Sequence, residues 1–314
     1  MSFQSQKRIM NSFVKATERK NVLSMLVRFT DTDCDVNNEL AKKWGYRLIS
    51  MPYIIDGRIT YPYVDFDEFD GHAFYEWLRT VKELPTTCAI SPEEYKKYFE
   101  PVFQEGNDIL YVHFSAAMSG TFNAMRLAVD ELLEKYPERR FYSLDTKAIT
   151  TFTLFLLEDI ALAAEKGATA EELIALGEKE RDHCAAYFFA DDLKFFAKSG
   201  RVSGLAGVMG GLLGIKPIIT IGDDGKMASI GKVKGKPNAL KYLMDKVEEL
   251  GDHPEKRGFY IAHTDAPELV EKLKEMLREK YGADVSIKTH YCNPTIGIHC
   301  GPSCVGIAFQ AKHR

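Results

Sequence analysis

Two stretches of the chain place small hydroxyl-bearing residues where a strand gives way to a helix. One is Pro85-Thr86-Thr87-Cys88-Ala89-Ile90-Ser91, and the other is Ser115-Ala116-Ala117-Met118-Ser119-Gly120-Thr121. In an open α/β sheet, ligands collect beyond the carboxyl ends of the strands, and the unbonded N–H groups of a helix start favour an anion there. Taken singly, each junction reads equally well as a pair of ordinary helix caps. A third cluster, His290, Cys292, His299, Cys300 and Cys304, falls within fifteen positions and holds the residue types that bind metal. Zinc sites use paired ligands such as C-x-x-C, and the chain contains no C-x-x-C. No metal is therefore expected, and these cysteines read as buried thiols near a loop.

Several common chemistries lack their signatures. Gly231 to Pro237 imitates the lysine of a phosphate-binding loop but has no hydroxyl after it to hold Mg²⁺. No G-x-G-x-x-G follows a strand signal, and Gly301-Pro302-Ser303-Cys304-Val305 lacks the second glycine of a nucleophile elbow. The glycines at 200, 204, 207, 210, 211 and 214 recur every few residues, as in a close-packed helix or a loop around a ligand. Nucleotide, dinucleotide and serine-hydrolase readings all weaken, and no cofactor is expected.

The elements that must position these residues alternate along the first half. Strand signals at 22–29, 46–55, 108–114 and 140–144 are interleaved with helical ones at 39–44, 67–81, 91 onward, 120–136 and 147–166. That rhythm predicts a mostly parallel sheet with helices on its faces. The second half mixes helices at 171–183, 239–250 and 268–280 with strands at 185–190, 258–263 and 284–288. A hairpin at 216–222 and 226–234 turns on Asp223-Asp224-Gly225. The expectation is therefore two α/β domains with a ligand cleft between them, the second having a mixed sheet. The boundary falls within 167–184, giving domains at 22–175 and 176–314.

Residues 1–21 stand apart, with five basic residues against Glu18 and a helical stripe of Ile9, Met10, Phe13 and Val14. A basic amphipathic extension of this kind docks on its own domain or contacts a membrane surface or an acidic partner transiently. The whole chain has 314 residues, 45% of them hydrophobic, and a net charge of −4, which argues for a folded protein and against a nucleic-acid partner. Six scattered cysteines fit reduced thiols, and no apolar run approaches membrane-spanning length, so a cytoplasmic location is expected.

Read in order, the motifs resemble those of the DegV family, fatty-acid-binding proteins that include the binding subunits of bacterial fatty acid kinase. Thr30-Asp31-Thr32-Asp33-Cys34-Asp35 is similar to the family's T-D-S-x-x-D, and Thr87-Cys88-Ala89-Ile90-Ser91 stands in the place of T-S-Q-P-S. Ser115 to Thr121 resembles S-S-x-L-S-G-T, and Ser199-Gly200-Arg201-Val202-Ser203 resembles G-G-R-I-S. Ile215-Lys216-Pro217 and Gly297-Ile298-His299-Cys300-Gly301-Pro302 match I-K-P and G-x-H-x-G-P. The resemblance spans about residues 22–310.

The resemblance implies one long-chain fatty acid between two domains, with its tail buried and its carboxylate near the surface. It carries the carboxylate contacts over to Thr87, Ala116 with its neighbour Ala117, and His299, and places Arg201 near the pocket mouth. It implies no catalysis by this chain, but presentation of the carboxylate to a separate ATP-dependent fatty acid kinase protein. Ala116 stands where the family has a serine, and Cys88, Ala89 and Ile90 replace Ser, Gln and Pro, so the polar end is less polar than usual. Two other readings stay open. One is an acyl hydrolase or transferase with Ser119 or Cys88 as nucleophile and His299 as base. The other is a regulatory interaction protein with a vestigial pocket. On the residues alone, His113 reads as a core or site-wall histidine, and Phe188, Phe189, Phe195 and Phe196 read as core.

Overall fold

Strand and helix alternate as the apolar pattern demands. The computed structural model describes residues 24–62, 69–204 and 214–314; the basic extension 1–21 and most of the glycine-rich stretch lie outside them. The first half supplies β1 (Leu26–Asp31), β2 (Tyr46–Ile49), β3 (Tyr53–Ile55), β4 (Arg58–Thr60), β5 (Thr86–Thr87), β6 (Asp108–His113) and β7 (Phe141–Asp145). Its helices are α1 (Asn38–Trp44), α2 (Gly71–Thr80), α3 (Pro92–Gln104), α4 (Thr121–Lys135), α5 (Leu154–Glu165) and α6 (Ala170–Glu180). Strands β2-β1-β6-β7 form an all-parallel sheet, and β4-β3-β5 a small antiparallel one.

The second half supplies β8 (Cys184–Phe189), β9 (Val202–Ser203), β10 (Ile215–Ile221), β11 (Met227–Lys234), β12 (Phe259–His263), β13 (Ile287–Tyr291) and β14 (Val305–Gln310). With them come α7 (Lys194–Ser199), α8 (Lys236–Leu250), α9 (Pro254–Arg257), α10 (Pro267–Tyr281) and α11 (Pro294–Cys300). The sheet order is β13-β12-β14-β8-β10-β11-β9, mixed as expected: β12–β13 and β9–β11 are parallel and the remaining pairs antiparallel.

Local chemistry sets the ends of these elements. Ser91 Oγ accepts the Glu94 N–H at 3.2 Å, with Pro92 and two glutamates in the first turn of α3. Thr169 and Glu172 close a reciprocal capping box on α6. The strand expected at 46–55 divides into β2 and β3, which lie in different sheets. There the Met51 N–H is taken by Thr32 Oγ1 at 2.9 Å, and Pro52 has no N–H to offer a ladder. The helix expected from 147 begins later, at α5, because Lys147 and Thr150 adopt positive φ of 48° and 59°.

The central strands of the mixed sheet are buried on both faces, with strand period deciding which side chain goes where. Tyr187 and Phe189 of β8 pack under α8 and α10, while Ala186 and Phe188 face the helices and turns of the first half. The two halves are tied across this second face by polar contacts. Ser115 Oγ donates to the Gly225 carbonyl at 2.7 Å, at a glycine with φ +77° where a Cβ would run into that hydroxyl.

The deepest tie is at Asn293. Its Nδ2 donates to the Thr32 carbonyl at 2.8 Å and to Asp35 Oδ1 at 2.9 Å, and its own N–H reaches the same carboxyl oxygen at 2.9 Å. Its Oδ1 caps α11 through the Ile296 N–H at 3.2 Å. One side chain thus fixes α11 against the turn that follows β1. Replacing it by alanine leaves buried donors and acceptors unpaired and removes a cap. Asn293→Ala is expected to cost about 3 kcal/mol of stability, read from the urea midpoint. A loss below about 0.5 kcal/mol, within the range of a neutral surface change, would show that this tie is unimportant.

Candidate ligand-binding site

Between the parallel sheet's loops and the inner face of the mixed sheet lies a cleft of about 880 Å³, its open mouth included. Its apolar walls come from Phe114, Ile149, Phe152, Phe188, Met227 and Val305. Phe188, expected in the core, reaches the cleft because strand alternation turns it away from Phe189. Gly306 makes room beside it, since a Cβ there would meet Phe188 and Phe152. The other three phenylalanines of that group are fully buried away from it.

At one end, Thr87 on β5 meets His299 in the last turn of α11, with Thr87 Oγ1 and His299 Nε2 3.0 Å apart. The neighbouring strand β3 and helix α11 both hold Thr87 in place, through ladder pairing and packing. His299 is half-buried, and desolvation of its ring holds the imidazole neutral, with the pKa down to about 4; the charge of nearby Arg201 adds to the effect. Its Nδ1 is buried without a hydrogen-bond partner. Arg201 follows the left-handed Gly200 that ends α7, lines both this end and a shallower recess outside it, and is exposed. Asp191 is bound by Lys216 and Lys236, and Asp192 by Lys194; Arg201 donates instead to the Ser199 carbonyl.

Thr87, His299 and Arg201 are therefore brought together, whereas Ala116 is not among the residues lining the cleft. The Ala116 N–H points at the Asp145 carboxylate, 3.4 Å from each oxygen, and the Ala117 N–H goes to Ser115 Oγ at 3.3 Å. Ala117 borders only the outer recess. The N–H groups expected to face an anion there are thus engaged locally. His113 is a core residue: its Nδ1 donates to the Phe114 carbonyl at 2.7 Å, Nε2 contacts Ser143 Oγ at 2.9 Å, and the ring lies 4.1 Å from that of Phe122.

Other residues on the wall were not foreseen, among them Asp33, Thr150, His263, Thr264 and Thr295. Thr295 and His299 are four residues apart and share one face of α11. The signal for that helix was Asn293-Pro294 followed by Gly301, a cap, a first-turn proline and a stop. Burial raises the Asp33 carboxyl to about 6, and it raises Asp31 and Asp35 to about 8, with the charge of Asp33 adding to both. Asp31 is held by the Tyr111 hydroxyl at 3.0 Å and the Phe114 N–H at 3.1 Å. Cys292, Cys300 and Cys304 also line the cleft as buried thiols, and Cys304 Sγ donates to the Cys300 carbonyl. Among the described residues, the grouping with metal-ligand geometry is His72, Glu76 and Asp265, elsewhere on the surface, where Arg79 bridges the two carboxylates.

A family model described as "Uncharacterised protein, DegV family" matches residues 28–312. A DegV domain-containing protein of Clostridium perfringens is 31% identical over 287 residues, which is 91% of this chain and 98% of the relative. Among solved structures, a DegV lipid binding protein from Thermotoga maritima superimposes with a TM-score of 0.78 at 25% identity, covering 92% of this chain and 99% of the other. A DegV family protein from Eubacterium eligens, loaded with heptadecanoic acid, gives 0.77 at 20% identity, covering 91% and 100%.

The buried titratable groups give stability two opposed pH limbs. His299 and His263 both titrate at about 4 when folded, against 6.5 for the free side chain, so the unfolded chain binds more protons between those values. Stability is then lost as pH falls from 6.5 towards 4. Asp31 and Asp35 behave oppositely. Their folded values of about 8 lie above 3.8, so the stability of their neutral forms is fully present below 3.8 and lost as pH rises from there through 8. Between 4 and 6.5 the two sets oppose each other, and above 6.5 only the carboxyls act, so the urea midpoint should fall between pH 6.5 and 8.5. Asp31→Asn should lessen that fall and His299→Gln should leave it unchanged; a fall that survives Asp31→Asn undiminished would refute the assignment.

Proposed function

The chain belongs to the DegV family, and on that premise we propose that it binds a single long-chain fatty acid in this cleft, with the carboxylate at Thr87 and His299. The observation that carries the reading is the joining of an apolar cleft to a half-buried hydroxyl–imidazole pair on its wall. A carboxylate only accepts hydrogen bonds. The Thr87 hydroxyl can turn its proton to the ligand while taking the Nε2–H of His299, so the pair relays donors to one point. Arg201 at the rim adds positive charge without being buried. The relatives from Thermotoga maritima and Eubacterium eligens, described as lipid binding and as loaded with heptadecanoic acid, support the same reading.

Energetics favour the tail as the source of affinity. Each buried methylene contributes about 0.8 kcal/mol, so a sixteen-carbon chain gains on the order of 10 kcal/mol before ordering costs. The head group then sets position and selectivity.

The further steps we propose are presentation of the carboxylate to a separate ATP-dependent kinase protein, and transient membrane or partner contact through residues 1–21. We also place the domains at 22–175 and 176–314, a division supported by strands β1 to β7 and β8 to β14 forming separate sheets. The hydrolase alternative finds less support. Ser119 Oγ accepts the Thr121 N–H at 3.2 Å, His299 is paired with Thr87, and burial raises the Cys88 thiol rather than activating it.

Calorimetry with palmitic acid and its methyl ester separates head from tail. Thr87→Val, which removes the donor, should weaken the acid about tenfold or more, as for loss of a hydrogen bond to a charged group, and the ester far less. Equal effects on both would place the carboxylate elsewhere. The protein as purified should also release one fatty acid per chain in mass spectrometry of its extract. Delipidated protein that shows no thermal shift with any acid of about fourteen to eighteen carbons would end the proposal, since the burial of so many methylenes could not then be occurring.

A further inference from the structure

One wall of the cleft carries an acid that the Thr87–His299 pair does not use. Asp33 lines the cleft and is 8% exposed. Its Oδ1 accepts the Thr295 hydroxyl at 2.6 Å. Its Oδ2, unlike Asp31 Oδ1 and Asp35 Oδ2, is not sealed away from open space. Asp33 also occupies a position that the family's T-D-S-x-x-D leaves unspecified, so it belongs to this chain and not to the motif.

Among the described residues, the groups around this carboxylate bring it no cation. Asp31 and Asp35 stand on its own turn with Cys34 between them, and Tyr95 of α3 feels its charge. The turn of residues 150–153, packed on the same segment, brings three threonines and a phenylalanine. Helix α11 brings Thr295, with His299 one turn farther along, about 6 Å on the helix axis. His299 and His263, the histidines of the cleft wall, are neutral above about pH 4. Arg201 lines the same cleft at its exposed mouth.

An ionised carboxylate in such a place depends on the solvent that reaches it through the cleft. Burial already pushes the Asp33 carboxyl up to about 6, against the lowering effect of Thr295 and Asn293. A fatty acid makes the place worse for charge in two ways. Its methylenes displace solvent, and its carboxylate adds a like charge to the same space. Both act in one direction, wherever along the ligand Asp33 falls.

We propose that the ligand enters together with a proton, which Asp33 accepts from solvent as the fatty acid fills the cleft. The fatty acid keeps its negative charge, and the Asp33 carboxylate becomes a neutral carboxyl. This rests on the fatty-acid reading above and adds to it the residue that sets the pH range of binding. Ionised Asp33 opposes the ligand and neutral Asp33 admits it. Affinity therefore falls as pH rises, by at most about tenfold per unit for one proton.

The test is calorimetry of the delipidated full chain with myristic acid at pH 7, in phosphate, HEPES and Tris. These buffers differ in ionisation enthalpy, so the slope of the observed heat against that enthalpy counts protons taken up per ligand. The wild-type chain should take up about half a proton or more, and its affinity should fall about five- to tenfold between pH 6 and 8. Asp33→Asn keeps an acceptor for Thr295 without a titrating group, and should bring both the uptake and that fall close to zero. Asp33→Ser gives a second route to the same loss should the first variant fold poorly. No uptake in the wild-type chain would overturn the proposal while leaving fatty-acid binding intact. Uptake that persists undiminished in a folded variant would overturn it too, since the proton then resides on the ligand or on another group. A chain that binds no myristic acid at any of these pH values would overturn the underlying reading and this one with it.

Discussion

The side chain of Asn293 joins what the sequence separates most widely. Its partners Thr32 and Asp35 are 261 and 258 residues away, and all the groups involved are buried. Because the contacts are hydrogen bonds out of water, they are directional, and a helix held by them has one permitted position. That helix is α11. Its first turn sets Thr295 against Asp33, and its last turn sets His299 against Thr87. The walls of the cleft are therefore spaced by a polar fastening rather than by apolar packing alone. Apolar packing would fill such a volume; a fixed frame can keep it open.

The electrostatics follow from the same burial. Carboxyls are pushed up and imidazoles down, so the groups around the cleft favour their neutral forms. An arriving anion would be met by dipoles already oriented by their neighbours, with Asp33 the acidic group on the wall and Arg201 standing at the solvent edge. Such preorganisation lets a weakly polar site select one end of a long molecule without burying a permanent ion pair.

Much of this was readable in the residues, and the failures have physical causes. The parallel first sheet, the mixed second sheet, the 216–234 hairpin and the helix start at Ser91 were legible because short-range patterns decide them. The motif resemblance named Thr87 and His299, but nothing in either segment reveals that they touch across 212 residues. A helix start advertises free N–H groups, but at Ala116 and Ala117 it does not reveal the acceptors they meet, Asp145 from elsewhere in space and Ser115 from the turn itself. Phe188 belongs to the core as read, but an unbroken aromatic run hides that it also lines the cleft until the strand's register is known. Thr150 left no trace at all, since a positive φ at a β-branched residue is imposed by its surroundings.

The position of β14 has a consequence for how the molecule comes into being. It is the last strand in chain order, yet it lies inside the mixed sheet, bonded to β12 on one side and β8 on the other. During synthesis, β8 and β12 emerge with no partner between them, and α11 also arrives late. The parallel sheet can form while the remainder is still being translated. The second sheet stays divided, with exposed strand edges, until residues 305–310 leave the ribosome. A nascent chain therefore has no closed cleft until that strand has been made. The interval before that closure is when such a chain most needs shielding from its neighbours.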